Sequence, residues 1–152
     1  MSKISNYDLI SSSKLFGHNE LFDELKKLYL EDVFPKVLLL SGSKGLGKFT
    51  TLVHLINYIF AKDQYNLDDK TISQESSFLK QMSAGICENF VHIKNDGTEK
   101  VKIQDIRQVK SLLQKTTINQ KPRFVILDDV EKINPNSSNA LLKIIEEPSN
   151  NN

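Results

Sequence analysis

The stretch Lys36-Val-Leu-Leu-Leu-Ser-Gly-Ser-Lys-Gly-Leu-Gly-Lys-Phe-Thr50 decides how the rest of the chain is read. Val37 to Leu40 is an apolar run of strand length, feeding a glycine-punctuated loop that opens into a segment with helical periodicity. Gly42, Gly47 and Lys48 satisfy G-x-x-x-x-G-K, all but the last position of a phosphate-binding loop. Glycines free the backbone so that successive N–H groups converge on phosphate oxygens, and the following helix adds its positive N-terminal end. Lys48 would bring a mobile charge to the β- and γ-phosphates. The next position calls for Ser or Thr, whose hydroxyl is a ligand of Mg²⁺. Phe49 stands there and has no oxygen, while Thr50 projects roughly 100° further round the helix. The loop can cradle an anion, but one of its metal contacts is missing.

A chain of 152 residues is long enough for a real core, with little room for a second domain. A hydrophobic share of 39% and a charged share of 26% are those of an ordinary soluble globular chain. Lys+Arg of 20 against Asp+Glu of 19 leaves a net charge of +1, so no global field draws the protein to nucleic acid or membrane. Any DNA contact would be local or shared with partners. The N-terminus lacks the apolar region of a secretion signal, and no run is long enough to cross a bilayer, so the expected location is cytoplasmic, with no membrane partner. Cys87 is the only cysteine, which excludes an internal disulfide and a cysteine-built zinc cage. With no basic cluster beside it, it reads as an unreactive buried or half-buried side chain.

Residues 1–15 are polar and serine-rich, a loose N-terminal segment ahead of a domain spanning 16–152. From Asn19, a good capping type, Leu21, Phe22, Leu25, Leu28 and Tyr29 recur as an amphipathic helix. Beyond the loop, Leu52, Leu55, Ile56, Ile59 and Phe60 form a second helical stripe, with His54 off the stripe and expected in solvent. Residues 62–77 read as a polar excursion, with a short helix from Gln74 to Ser83. Asn89 to Lys94 alternates like a strand, Asn95 to Thr98 is a turn by its chemistry, and His92 is a structural residue with no second ligand at metal spacing. Ile103, Ile106, Val109 and Leu113 predict a third helix, whose Lys102, Arg107, Lys110 and Lys115 read as a solvated face. The last helix is expected from about Asn136 to Glu147, capped by Asn136 or Ser137, with Ala140, Leu141, Ile144 and Ile145 inward and Pro148 beyond it.

Pro122-Arg-Phe-Val-Ile-Leu-Asp-Asp129 is a near-continuous apolar strand ending in two carboxylates, the signature of a buried strand in a parallel sheet. In open α/β sheets ligands bind at that carboxyl edge, where Asp128 would hold Mg²⁺ through water. In hydrolysing proteins of this class the next residue is usually Glu, which polarises the attacking water. Asp129 is one methylene shorter, and a misplacement of about 1 Å can cost on the order of 10²-fold in rate.

Asp128-Asp-Val-Glu-Lys-Ile-Asn134 followed by Ser138-Asn-Ala-Leu-Leu-Lys-Ile-Ile-Glu-Glu-Pro148 resembles the Walker B strand and following helix of bacterial clamp-loader AAA+ subunits. Phe16-Gly-His18, Pro35-Lys-Val-Leu-Leu-Leu40 and Ile103-Gln-Asp-Ile-Arg107 extend the resemblance over residues 15–149. It implies an α/β P-loop NTPase (AAA+) fold in three layers with a parallel sheet. It also implies a strand order of 5-1-4-3-2, whose fourth and fifth strands do not occur in this sequence, so that the chain is expected to be the N-terminal part of a longer subunit. Within the family, Phe49 and Asp129 are similar to the delta-prime type of DNA polymerase III subunit rather than the ATP-hydrolysing gamma/tau type. The gamma/tau type also carries a four-cysteine zinc module, which a single cysteine cannot build.

Carried over by position, the resemblance makes Gly42, Gly45, Gly47 and Lys48 the phosphate loop and Asp128 the metal-side carboxylate, with no catalytic residue assigned. ATP with Mg²⁺ is the ligand such a site takes, and the two departures speak against turnover; zinc is not expected. The helix from Asn139 to Lys143 matches a surface that in the family lies near DNA and neighbouring subunits. The function implied is a non-motor clamp-loader subunit, working with gamma/tau and delta subunits to place the sliding clamp on primer-template DNA. Nucleotide transfer would belong to the holoenzyme alone. The alternatives are an active AAA+ clamp-loader ATPase of gamma/tau type and a small P-loop kinase. The kinase lacks support from an arginine-rich lid, since the only arginines are Arg107 and Arg123.

Overall fold

A computed structural model of the protein describes residues 13–93, 101–115, 117 and 121–146. They form two compact units, one up to Ile86 and the other from Cys87 on.

In the first unit, α1 (Asn19–Leu30) buries Phe22 and Leu25 against α2 (Lys48–Phe60). Its N-cap is His18 in a left-handed conformation, not Asn19. α2 is the unit's central element: Thr51, Val53, His54, Leu55, Ile56, Asn57 and Tyr58 are all buried, nearly the whole circumference of two turns. A helix covered on all sides hides its periodicity. The expectation of a solvated His54 is therefore corrected: its ring is fully buried and its Nδ1 lies 3.0 Å from the Tyr65 hydroxyl.

Tyr65 belongs to a small hairpin of β1 (Tyr65–Asn66) and β2 (Thr71–Ile72), antiparallel with Tyr65 opposite Ile72. It lies within the polar excursion expected over 62–77, where no strand was foreseen, and Lys14 bridges to Thr71 beside it. Phe22 stacks on Tyr65 at 5.7 Å between centroids and meets Tyr58 edge-on at 6.3 Å. Burying one such ring contributes about 1.5–3 kcal/mol. Burial pushes the Tyr65 hydroxyl well above its ordinary pKa, with the Asp23 and Asp69 carboxylates adding to the shift. α3 (Ser77–Ala84) begins where Ser76 Oγ accepts from the Leu79 N–H and ends on Gly85 at φ 69°.

Val37 to Leu40 does not form the expected strand. Both sheets among the described residues are two-stranded, and neither includes this segment. A strand needs a neighbour for its N–H and C=O groups, and without one the apolar run gains nothing from extended pairing. Val37, Leu38 and Leu39 are exposed, Leu39 to 76%.

The second unit is built on β3 (Phe90–Ile93) and β4 (Phe124–Leu127), parallel and in register from Phe90 opposite Phe124 to Ile93 opposite Leu127. The connection between them carries α4 (Ile103–Leu113), and β4 leads on to α5 (Pro135–Glu146). The two helices pack on a core of Val101, Ile106, Ile133 and Leu141, with Ile93, Leu127, Ala140 and Ile144 around it. Asp105 Oδ2 accepts from the Lys102 N–H at the start of α4. The α5 cap is Asn134, whose Oδ1 accepts from the Ser137 N–H, rather than Asn136 or Ser137. Ser137 is buried instead, donating to the Val101 carbonyl at 3.0 Å. Ile145, expected inward, is 39% exposed. Cys87 is buried, and desolvation raises its thiol pKa. The expected turn at Asn95 to Thr98 and the stop at Pro148 lie outside the described residues.

The arrangement is mixed α/β with a small parallel sheet, consistent with part of a P-loop AAA+ fold. Among the described residues no helix is long and apolar enough to cross a membrane, and no cluster of His, Cys, Asp and Glu could hold a metal ion.

Candidate functional site: a phosphate loop and a strand-end carboxylate pair

The loop ahead of α2 takes its shape from three glycines with positive φ: Gly42 at 147°, Gly45 at 84° and Gly47 at 82°. Gly47 is the N-cap of α2, and its carbonyl accepts from both the Thr51 N–H at 2.9 Å and the Thr51 hydroxyl at 3.0 Å. A Cβ at Gly47 would sit 3.7 Å from His18 Cδ2, an ordinary contact. Backbone conformation, not space, demands glycine there.

Lys48 Nζ reaches back to donate to the Gly42 carbonyl at 2.8 Å and the Ser43 carbonyl at 3.0 Å. The four predicted loop residues Gly42, Gly45, Gly47 and Lys48 thus share one cradle, and its ammonium is already engaged by the loop's own oxygens. An incoming phosphate would share or displace those bonds. Sequence reading missed the loop's brace, His18, whose Nε2 donates to the Leu46 carbonyl. The available signal was Gly17 before it: Gly17 at φ 73° and His18 at φ 53° turn the chain so that the ring faces the loop.

Asp128 belongs to the other unit, at the carboxyl end of β4, where its N–H donates to the Ile93 carbonyl at 3.0 Å. Its Oδ2 lies 3.1 Å from Nε2 of His92, whose side chain is only 4% exposed. The structural role expected of His92 is therefore specific: the buried ring steadies the carboxylate on the adjacent strand, with its Nε2–H as donor. Asp129 adopts a left-handed conformation at φ 48° and accepts from Lys132, a bond that raises the lysine's pKa.

The donors in the loop are backbone N–H groups and an ammonium, which fit a phosphate anion. They do not fit the Mg²⁺ that normally accompanies one, because position 49 contributes a benzyl group where the cation needs an oxygen.

A family model described as DNA polymerase III, delta subunit, matches residues 17–152. The chain belongs to this clamp-loader family. It is similar to DNA polymerase III subunit gamma of Buchnera aphidicola from Schizaphis graminum, 32% identical over 141 residues, covering 91% of this chain and 37% of that protein. It is likewise similar to the subunit gamma of Buchnera aphidicola from Acyrthosiphon pisum, 27% identical over 110 residues, covering 72% of this chain and 29% of that protein. The chain therefore spans about a third of the length of these curated relatives. The region matched by the clamp-loader family contains both the loop at 42–48 and the carboxylates at 128 and 129.

Proposed function

We propose that this chain acts within a clamp-loader subunit of the non-motor, delta-prime type. On this reading it assembles with gamma/tau and delta subunits and helps place the sliding clamp on primer-template DNA while other subunits hydrolyse ATP. The observation that carries the proposal is Phe49, an oxygen-free side chain at the position where magnesium-dependent turnover requires a hydroxyl. The shortened acid at Asp129 points the same way. Gly42, Gly45, Gly47 and Lys48 would hold a phosphate group if a nucleotide binds, and Asp128 would serve as the metal-side carboxylate only in a motor subunit.

A second reading, an active ATPase of gamma/tau type, is favoured by the likeness to two proteins named subunit gamma. Single-turnover hydrolysis of ATP by the purified protein separates the two. The non-motor reading expects no phosphate release above background, and no fast ATPase from the double restoration Phe49→Thr with Asp129→Glu. Sustained magnesium-dependent release that Lys48→Ala abolishes would establish the motor reading instead. Affinity capture from the source cell is expected to recover other clamp-loader subunits, and recovery of none would overturn the assembly role.

A further inference from the structure

Between Ser43 and Lys48 a single backbone donor is spent on the protein itself: the Leu46 N–H, on the Ser43 carbonyl at 3.4 Å. The N–H groups of Ser43, Lys44, Gly45, Gly47 and Lys48 have no acceptor among the described residues. Lys44 is exposed and, like Lys48, forms no ion pair among them. The sequence carries no acid from Val33 to Lys62, so the loop and α2 have no carboxylate of their own. No cluster of His, Cys, Asp and Glu among the described residues could hold a metal ion, and Phe49 follows Lys48 where a phosphate-bound cation takes a hydroxyl. The loop is thus rich in donors and positive charge, and poor in what a divalent cation needs.

We infer that the loop takes the phosphate chain of a nucleotide as the bare anion, and that Mg²⁺ opposes this binding instead of assisting it. The inference rests on the non-motor reading of the site. Where a hydroxyl follows the lysine, it replaces a water on the cation, and that bond offsets the negative charge that the metal takes from the phosphates. Phe49 supplies no such bond, and Mg²⁺ gives up its waters reluctantly. The magnesium complex therefore brings less negative charge to Lys48 and the loop N–H groups and gains nothing in return. The bare anion makes the stronger charge-assisted hydrogen bonds.

The test is titration calorimetry of the full chain with ATP, once in EDTA and once in excess Mg²⁺. ATP is expected to bind in EDTA, and Mg²⁺ to weaken that binding about fivefold, the scale of one unit of charge lost a few ångströms from an ammonium in water-like surroundings. Lys48→Ala should remove most of the affinity in EDTA while leaving the helical circular dichroism unchanged. Phe49→Ser, which returns the oxygen, should make Mg²⁺ strengthen binding while the affinity in EDTA stays as it was. No binding in EDTA, or binding that Lys48→Ala leaves intact, would overturn the inference and leave the non-motor reading standing. Tighter binding by the unaltered protein in Mg²⁺ would overturn it too, and the non-motor reading would fall with it only if phosphate release accompanied that binding. If Phe49→Ser does not fold, the unaltered protein and Lys48→Ala still decide the question.

Discussion

Gly47 carries a burden that its neighbours in the loop do not. Its left-handed backbone hands the chain from the loop to α2, and its carbonyl receives both hydrogen bonds of Thr51, a residue with no exposed surface. Alanine would meet no steric obstacle, so the cost of substitution is conformational. Gly47→Ala is expected to lower stability by about 1–2 kcal/mol in denaturant unfolding. Gly47→Asn should lose less, because asparagine tolerates the same region. Equal losses from the two variants would show that something other than backbone conformation fixes this residue. Reading the sequence singled out Gly42, Gly45, Gly47 and Lys48 from their spacing, and the structure gives all three glycines positive φ and turns Lys48 back onto the Gly42 carbonyl. Sequence reading missed His18 as the brace, because its link to Leu46 joins residues far apart in the chain and leaves no periodic trace, Gly17 being the one local hint of a turn there.

At the scale of elements, one side chain ties three segments of the second unit together. Arg123, 9% exposed just ahead of β4, donates from Nε to the Glu88 carbonyl at 2.7 Å and from its terminal nitrogen to the carbonyls of Leu112 and Lys115. It thereby joins the approach to β3 to the C-terminal end of α4, where a positive charge also complements the negative end of the helix dipole. Arg123→Ala is expected to cost about 3 kcal/mol in thermal or urea unfolding, since charge-assisted bonds in a buried setting are lost. Arg123→Lys should not restore it, because an ammonium cannot span the same carbonyls. Recovery by lysine would reduce the role to charge alone. The elements most legible in the sequence, α1, α4 and β4, each have one buried face or an unbroken apolar run. The hairpin at 65–72 escaped because strands of two residues have no period to detect, and Tyr65 and Ile72 are isolated anchors in a polar stretch. His54 was misplaced because α2 is enclosed on nearly all sides.

For the molecule as a whole, the apolar surface left uncovered sets its behaviour in solution. Phe16, Leu39 and Ile86 are each more than 70% exposed, and Leu39 lies in an apolar run outside both sheets of the described residues. Exposed apolar side chains of this kind invite association. Leu39→Lys is expected to raise solubility, measured as the concentration at which light scattering begins, without changing the helical circular dichroism. A drop in helical signal would mean that Leu39 supports the fold. The division at Ile86 and Cys87 also has an evolutionary reading. The hydrogen bonds that hold Lys48 are made by one half of the chain, and the one that holds Asp128 through His92 by the other. A substitution in the loop of one unit therefore leaves the hydrogen bonds that fix the strand-end carboxylate of the other untouched, so the two positions are free to drift separately over generations.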